Sequence, residues 1–379
     1  MVSPQVEIML IASVVAVACA LVGVFLVLRN MAMMSDAISH SVLLGIVLAF
    51  FLTRDLSSPA LIIGAAMMGV ITVVLVELLH QTRLVHEDAA IGIVFPLLFS
   101  IAVILISRHA ANIHLDTDAV LLGELAFAPF DRFVYQGVDL GPKALYIMGA
   151  ILLVNFFFIS LFFKELKLVT FDPQLAAVLG ISPIVVHYAL MTLVSVTAVG
   201  AFDAVGSILV VALMIAPPAT AYLLTDRLHV MIALSALVGI LSAIGGFGMA
   251  YYLDASIAGS MATVAGIIFA LAFLFAPERG VVAGTRRRME QRWNFALVTL
   301  TIHLWHREKS APVVGKAYAI QELRQHLRWS TAYFASVVER AIRRGLLTQR
   351  DDYVQLTEKG RRLAREGHGM GERATSEPL

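Results

Sequence analysis

The sequence predicts an all-α polytopic membrane protein of about nine transmembrane helices, followed by a small cytoplasmic winged helix-turn-helix domain. Three observations carry that prediction. The chain is 59% hydrophobic with a mean hydropathy of +0.84, too apolar for a soluble protein of 379 residues. Apolar stretches long enough to cross a bilayer recur from the N-terminus to residue 276. Charge is split: residues 1–284 carry 10 Lys/Arg against 17 Asp/Glu, and residues 285–379 carry 18 against 10. That split separates a membrane domain, 1–284, from a basic soluble unit, 285–367, with 368–379 as a polar, disordered tail.

The spanning segments fall at roughly 7–28, 31–52, 58–80, 89–107, 144–163, 183–201, 204–224, 229–247 and 257–276. The first is as long as a bilayer needs and lacks a basic leader, so it reads as a retained helix. The single cysteine, Cys19, excludes an internal disulfide and a cysteine-based structural metal site. Lysine and arginine placement sets the orientation. Arg29, Arg83, Lys164, Lys167, Arg227, Arg279 and Arg286 to Arg288 fall on one side, and Arg54, Arg108, Arg132 and Lys143 on the other. The richer side is cytoplasmic, which puts the N-terminus outside and the basic unit inside. The long outer loop, 108–143, holds His109, His114, Asp116, Asp118, Glu124 and Asp131, and its stretch 119–127 reads as a short re-entrant or interfacial helix.

Asp36 and His40 lie four residues apart in the second span, hence on one helix face, with His40 near mid-membrane. Ionisable groups at that depth are costly, and carboxylate with imidazole suits Mn, Fe(II) or Zn better than Cu(I). The pair reads as half of a divalent-metal site. The competing reading is an interhelical hydrogen bond from His40 to a serine or a backbone carbonyl. Asp203, between Gly200 and Gly206, is a further candidate ligand, weighed against a helix N-cap. His86, Glu87 and Asp88 read as the acidic start of the fourth helix. Pro217-Pro218 interrupts the seventh span, which fits an irregular backbone along a transport path or a plain packing kink.

Between the fifth and sixth spans, Asp172-Pro173 reads as an N-cap with proline at the first helical position, and Gly180 closes the short helix they open. A short capped helix on the cytoplasmic face fits a partner's groove, against an ordinary connecting turn. Gly315-Lys316 lacks the glycine spacing and following Ser/Thr of a phosphate-binding loop, so any ATP is bound by another subunit.

These pieces resemble the membrane permease subunit of bacterial ABC-type manganese/zinc/iron importers. The resemblance rests on Arg29-Asn-Met-Ala-Met-Met-Ser-Asp-Ala-Ile-Ser-His-Ser41, Glu87-Asp-Ala-Ala-Ile-Gly-Ile-Val-Phe95, Leu168-Val-Thr-Phe-Asp-Pro-Gln-Leu-Ala176, Ala204-Val-Gly-Ser-Ile-Leu-Val-Val-Ala-Leu-Met-Ile-Ala-Pro217 and Tyr251-Tyr-Leu-Asp254, in order across nearly all of 1–284. It implies a homodimer framing one path in a bacterial cytoplasmic membrane, two cytoplasmic ATPase subunits and an extracytoplasmic metal-binding protein. It implies no permanently bound cofactor, only the transported ion. Metal contact falls to Asp36 and His40, and ATPase coupling to Phe171, Asp172, Pro173 and Gly180. Relatives commonly carry a neutral amide where this chain has Asp203.

Such permeases usually end near Gly280, so the basic unit is an addition. Residues 290–307 read as one helix, 319–327 and 330–344 as a helix-turn-helix with Ser330 as N-cap, 345–357 as a two-stranded wing turning at Asp351-Asp352, and 358–366 as a closing helix. This resembles the winged-helix domain of iron-dependent repressors. Arg324, Arg328, Arg340, Arg343 and Arg344 would suit phosphate contacts. DNA is therefore a possible partner, and regulation or ATPase docking is the preferred reading. Two rival functions remain: a proton-coupled metal transporter and a membrane-tethered DNA-binding regulator.

Overall fold

The computed structural model describes residues 3–54, 58, 60–109, 125–135, 138–310, 318–319, 323, 326–327, 329–350 and 353–376. The chain divides into two compact units, Met1–Val281 and Val282–Leu379.

Nine described helices of the first unit are long and apolar enough to cross a membrane, in agreement with the hydropathy pattern. They are α1 (Pro4–Leu28), α2 (Met33–Thr53), α3 (Ala60–Gln81), α4 (Glu87–His109), α5 (Lys143–Leu161), α8 (Pro183–Val205), α9 (Ser207–Leu224), α10 (Leu228–Leu253) and α11 (Ile257–Phe275). Two short helices, α6 (Phe163–Phe171) and α7 (Pro173–Val178), connect α5 to α8. Helices are what lipid permits, because every backbone N–H and C=O is paired within the segment.

Helix α1 is the central post. It packs against α5, α8, α9 and α10, and its residues from Ala18 to Leu26 are all buried. Helices α2, α3 and α4 form one flank, and α9, α10 and α11 the other. Small residues set the close crossings. A Cβ at Gly45 of α2 would lie 2.3 Å from the carbonyl oxygen of Gly64 in α3, so only glycine permits this approach. Buried Asn155 of α5 donates to Thr197 Oγ1 of α8 at 2.9 Å and to the Ala18 carbonyl of α1 at 3.3 Å, a polar tie at the core.

Two expectations change here. Pro217 and Pro218 do not interrupt their helix, which runs through both from Ser207 to Leu224. Both prolines are buried, and Thr220 turns its hydroxyl back onto the Ala216 carbonyl at 2.8 Å. The sharp break comes earlier, at Gly206, whose φ of 80° separates α8 from α9. The segment between α4 and α5 also holds an antiparallel pair, β1 (Arg132–Tyr135) with β2 (Val138–Pro142), that the sequence did not signal. Residues 119–124 of the expected interfacial helix lie outside the described residues, and so do His114, Asp116, Asp118 and Glu124; Ala128–Phe130 forms a single 3₁₀ turn.

In the second unit, α12 (Val281–Ser310) is longer than the expected 290–307 helix. Helix α13 (Thr331–Arg343) buries Phe334, Val337, Val338 and Ala341, one stripe at helical spacing. Strands β4 (Leu347–Arg350) and β5 (Tyr353–Leu356) pair antiparallel, Leu347 opposite Leu356, on either side of 351–352. Ala319 is not the start of a helix. It pairs with Tyr353 in a two-residue strand, β3 (Tyr318–Ala319), and gives the sheet the order β3-β5-β4. The free edge of β5 outweighs local propensity there. Ser330 holds the N-cap position with extended dihedrals, and its side chain makes no cap bond.

Helix α14 (Glu358–Ser376) continues through most of the segment expected to be disordered. Its first half is anchored by buried Ala364 and by Gly367 set against Val298 and Ile302, and a nucleated helix extends cheaply.

Candidate functional site

Arg29 and Asn30 turn the chain between α1 and α2, Asn30 at a φ of 59°, a left-handed conformation that asparagine tolerates. Asp36 therefore falls in the first turn of α2 and His40 one turn later. At 1.5 Å per residue they stand about 4 Å and 10 Å along a helix of roughly 30 Å. The pair thus sits in the third of α2 nearest Arg29, not at its middle. Asp36 Oδ1 and His40 Nε2 are 3.4 Å apart, with 31% and 29% of each side chain exposed. That distance exceeds a charge-assisted hydrogen bond, so a cation can enter without breaking a strong contact. The His40 ring stacks on Phe95 of α4 at 5.5 Å and meets Phe99 edge-on at 6.0 Å, which fixes its plane.

The neighbouring serines do not hold His40. Ser35, Ser39 and Ser41 each donate to a carbonyl of their own helix, and Thr72 of α3 donates to Ser41 Oγ at 2.6 Å. Two donors per chain is a sparse set. Among the described residues, no group of three His, Cys, Asp or Glu is arranged to hold a metal.

At the Arg29 end of α2 lies a cavity of about 110 Å³ lined by Met31, Met34, Glu77, His80, Glu87 and His187, with two valines. Glu87 is at the acidic start of α4, as the sequence predicts. The other polar residues were not singled out from sequence; Glu77 and His80, one turn apart at the end of an apolar helix, were the available signal. In the sequence Arg29 marks only a cytoplasmic charge and the start of the segment Arg29–Ser41. It donates through Nε to Thr170 Oγ1 at 3.3 Å and through Nη1 to His187 Nδ1 at 3.3 Å. Burial pushes the Arg29 guanidinium below its ordinary value, which still leaves it charged at any physiological pH.

Asp203 is separate from this cluster. It lies in the last turn of α8, not at an N-cap; Gly206 holds that position for α9. It edges an apolar groove of about 480 Å³ between α3, α5 and α8. On the Lys143 side of the bundle, Arg132 bridges Glu7 at 3.2 Å and Asp139 at 2.6 Å. The Arg132 guanidinium holds the Asp139 carboxyl below its usual range.

The short connector α7 has the caps its sequence promises. Asp172 Oδ1 accepts from the Leu175 N–H at 2.9 Å, and Pro173 opens the helix. Gly180, at φ 84°, donates to the Ala177 carbonyl while Ile181 donates to that of Ala176, a Schellman closure. Phe171, Leu175, Val178 and Leu179 are exposed around it, an apolar knob on a rigid base.

In the second unit, Arg340 stacks over the Trp293 ring at 4.8 Å, Arg344 donates to Asn294 at 2.6 Å and Arg343 pairs with Glu339 at 3.5 Å. Arg324 and Arg328 lie outside the described residues.

Residues 5–276 match the ABC 3 transport family. The zinc transport system membrane protein TroD of Treponema pallidum is 49% identical over 359 residues, covering 94% of this chain and 97% of that one. That match extends well into the basic unit, which is therefore not peculiar to this chain. The manganese transport system membrane protein MntD of Bacillus subtilis is 50% identical over 278 residues, 73% of this chain and 94% of its own. Among solved structures, PsaBC from Streptococcus pneumoniae in complex with Fab matches with a TM-score of 0.61 and 31% identity, over 72% of this chain and 92% of that one.

Proposed function

The chain belongs to the ABC 3 transport family, and from that membership we propose that it forms the membrane path of an ATP-driven importer of manganese, zinc or iron(II). It is a transporter membrane subunit, not an enzyme, and ATP hydrolysis lies on a separate subunit. The observation that carries the metal reading is the Asp36/His40 pair, half-exposed on α2 with its imidazole plane held by Phe95 and Phe99. Two copies facing each other would supply four ligands, enough to strip a divalent ion of part of its water and too few to trap it. Asp203, apart from the pair, is at most a secondary contact.

In this reading the Arg29 end of the bundle is cytoplasmic and the Lys143 end faces an extracytoplasmic metal-binding protein. The ATPase subunits seat on the knob built by Phe171, Asp172, Pro173 and Gly180, and their closure alternates access to the path. We read 285–367 as a winged-helix unit that regulates or docks the ATPase. The engagement of Arg340, Arg343 and Arg344 within their own unit favours that role over DNA binding.

Uptake in proteoliposomes tests the function. Manganese, zinc and iron(II) should compete for entry, and entry should require ATP and the ATPase subunit. Uptake that persists without ATP and collapses when the proton gradient is dissipated would replace this reading with a proton-coupled one.

A further inference from the structure

We propose that Arg29 is a positioning residue for transport: it ties the segment that leads into the ATPase knob to the helices beside the metal path. The inference rests on the reading of α7 as the coupling helix. Arg29 follows α1 directly, and its guanidinium spans two other elements. Its Nε reaches Thr170, two residues before Asp172, and its Nη1 reaches His187 in the first turns of α8.

The chemistry of this bridge fixes its polarity. Guanidinium only donates, so His187 Nδ1 accepts and carries no proton. The remaining proton of the neutral ring is then on Nε2, which faces Glu77 Oε2 of α3 at 3.6 Å. The chain of contacts runs Thr170, Arg29, His187, Glu77, and ends on α3, the helix that crosses α2 through Gly45 and Gly64 and carries Thr72 against Ser41. A push on α7 is therefore delivered to the helix pair that bears Asp36 and His40.

The bridge is also incompletely satisfied. Arg29 Nη2 and Glu87 Oε1 are buried and make no hydrogen bond among the described residues, and buried Glu77 Oε2 has only the long 3.6 Å contact with His187. These groups use only part of their hydrogen-bonding capacity here, and an arrangement that satisfies more of it is favoured as soon as another force moves the helices. That is the property expected of an element with two states, biased by the ATPase on one side and the metal path on the other.

The test uses the complete complex in proteoliposomes, with the ATPase and external binding protein, and reads manganese uptake and ATP hydrolysis in the same preparation. Arg29→Gln should lower uptake about tenfold while hydrolysis stays within about twofold, an uncoupling of the size found for energetic links between sites. Arg29→Lys, which keeps charge but loses the fork, should recover part of it. Thr170→Val, nearly isosteric, should uncouple in the same direction if Arg29→Gln fails to assemble. An unchanged ratio of uptake to hydrolysis in both Arg29→Gln and Thr170→Val, whether each activity is normal or both fall together, overturns the proposal. Leu175→Asp on the exposed knob separates the two levels. Normal assembly and uptake in that variant would remove the coupling reading itself. Lost assembly there, with unchanged ratios at Arg29 and Thr170, would remove only the role of Arg29.

Discussion

Asp172 offers a sharp test of how a local cap becomes a mechanical contact. Helix α7 is only six residues long, far below the length at which an isolated helix is stable in water. It persists because both ends are closed, by the Asp172 bond to Leu175 N–H and by the turn at Gly180. Replacing Asp172 with alanine removes one cap worth about 1 kcal/mol, whereas asparagine keeps an acceptor of similar strength. At about 1.4 kcal/mol per factor of ten, that is a fall of roughly fivefold in the ratio of ordered to disordered knob. Asp172→Ala should therefore weaken capture of the ATPase subunit measurably, by up to about that factor, and Asp172→Asn should retain most of it. The assay is a titration of purified permease in detergent with the ATPase subunit. Equal affinities for the alanine and asparagine variants would refute the cap as the cause. Wild-type affinity for both would show that α7 does not need its cap to dock.

Other consequences follow from packing and charge. Gly45→Val forces a branched side chain against the Gly64 carbonyl and should cost about 1–3 kcal/mol, seen as a lower Tm in detergent; an unchanged Tm would mean that α2 and α3 separate freely. Asn155→Leu removes the tie between α1, α5 and α8 and should destabilise by about 0.6–1.7 kcal/mol, and a stability gain would contradict its role as a core tie. Because Asp139 titrates below the ordinary carboxylate range, its pairing with Arg132 contributes fully above that range and is lost as pH falls through the lower folded value. Hydrogen exchange in Arg132–Pro142, corrected for the intrinsic rate, should show constant protection from neutral pH to mildly acid pH and then decline; loss beginning near neutrality would point to another group.

Much of the fold was legible because lipid imposes a simple requirement. Each span needs about 20 apolar residues, and nine such runs stand out whatever their partners are. The α7 connector was legible for a different reason: Asp172 and Gly180 each cap the helix through partners three to four residues away, so sequence neighbours are also spatial neighbours. The Arg29 bridge had no such signal. Arg29 and His187 are 158 residues apart, and their meeting depends on how α1, α6 and α8 pack. The same limit hid β3, two residues whose conformation is set by the edge of β5. It also hid the depth of His40, because a shift of two residues in the start of α2 and the left-handed turn at Asn30 move the pair towards one end. Pro217 and Pro218 misled in the opposite sense, since a helix buried on several sides accommodates prolines that would break an isolated one.

The central claim is that the transported ion touches Asp36 and His40. Manganese uptake by the reconstituted complex carrying Asp36→Asn or His40→Gln, at equal protein levels and with intact ATP hydrolysis, measures this most directly. Each variant should fall by at least the roughly tenfold that weakening even a supporting metal contact costs. Wild-type uptake in either would remove that residue from the path, and wild-type uptake in both would contradict the account.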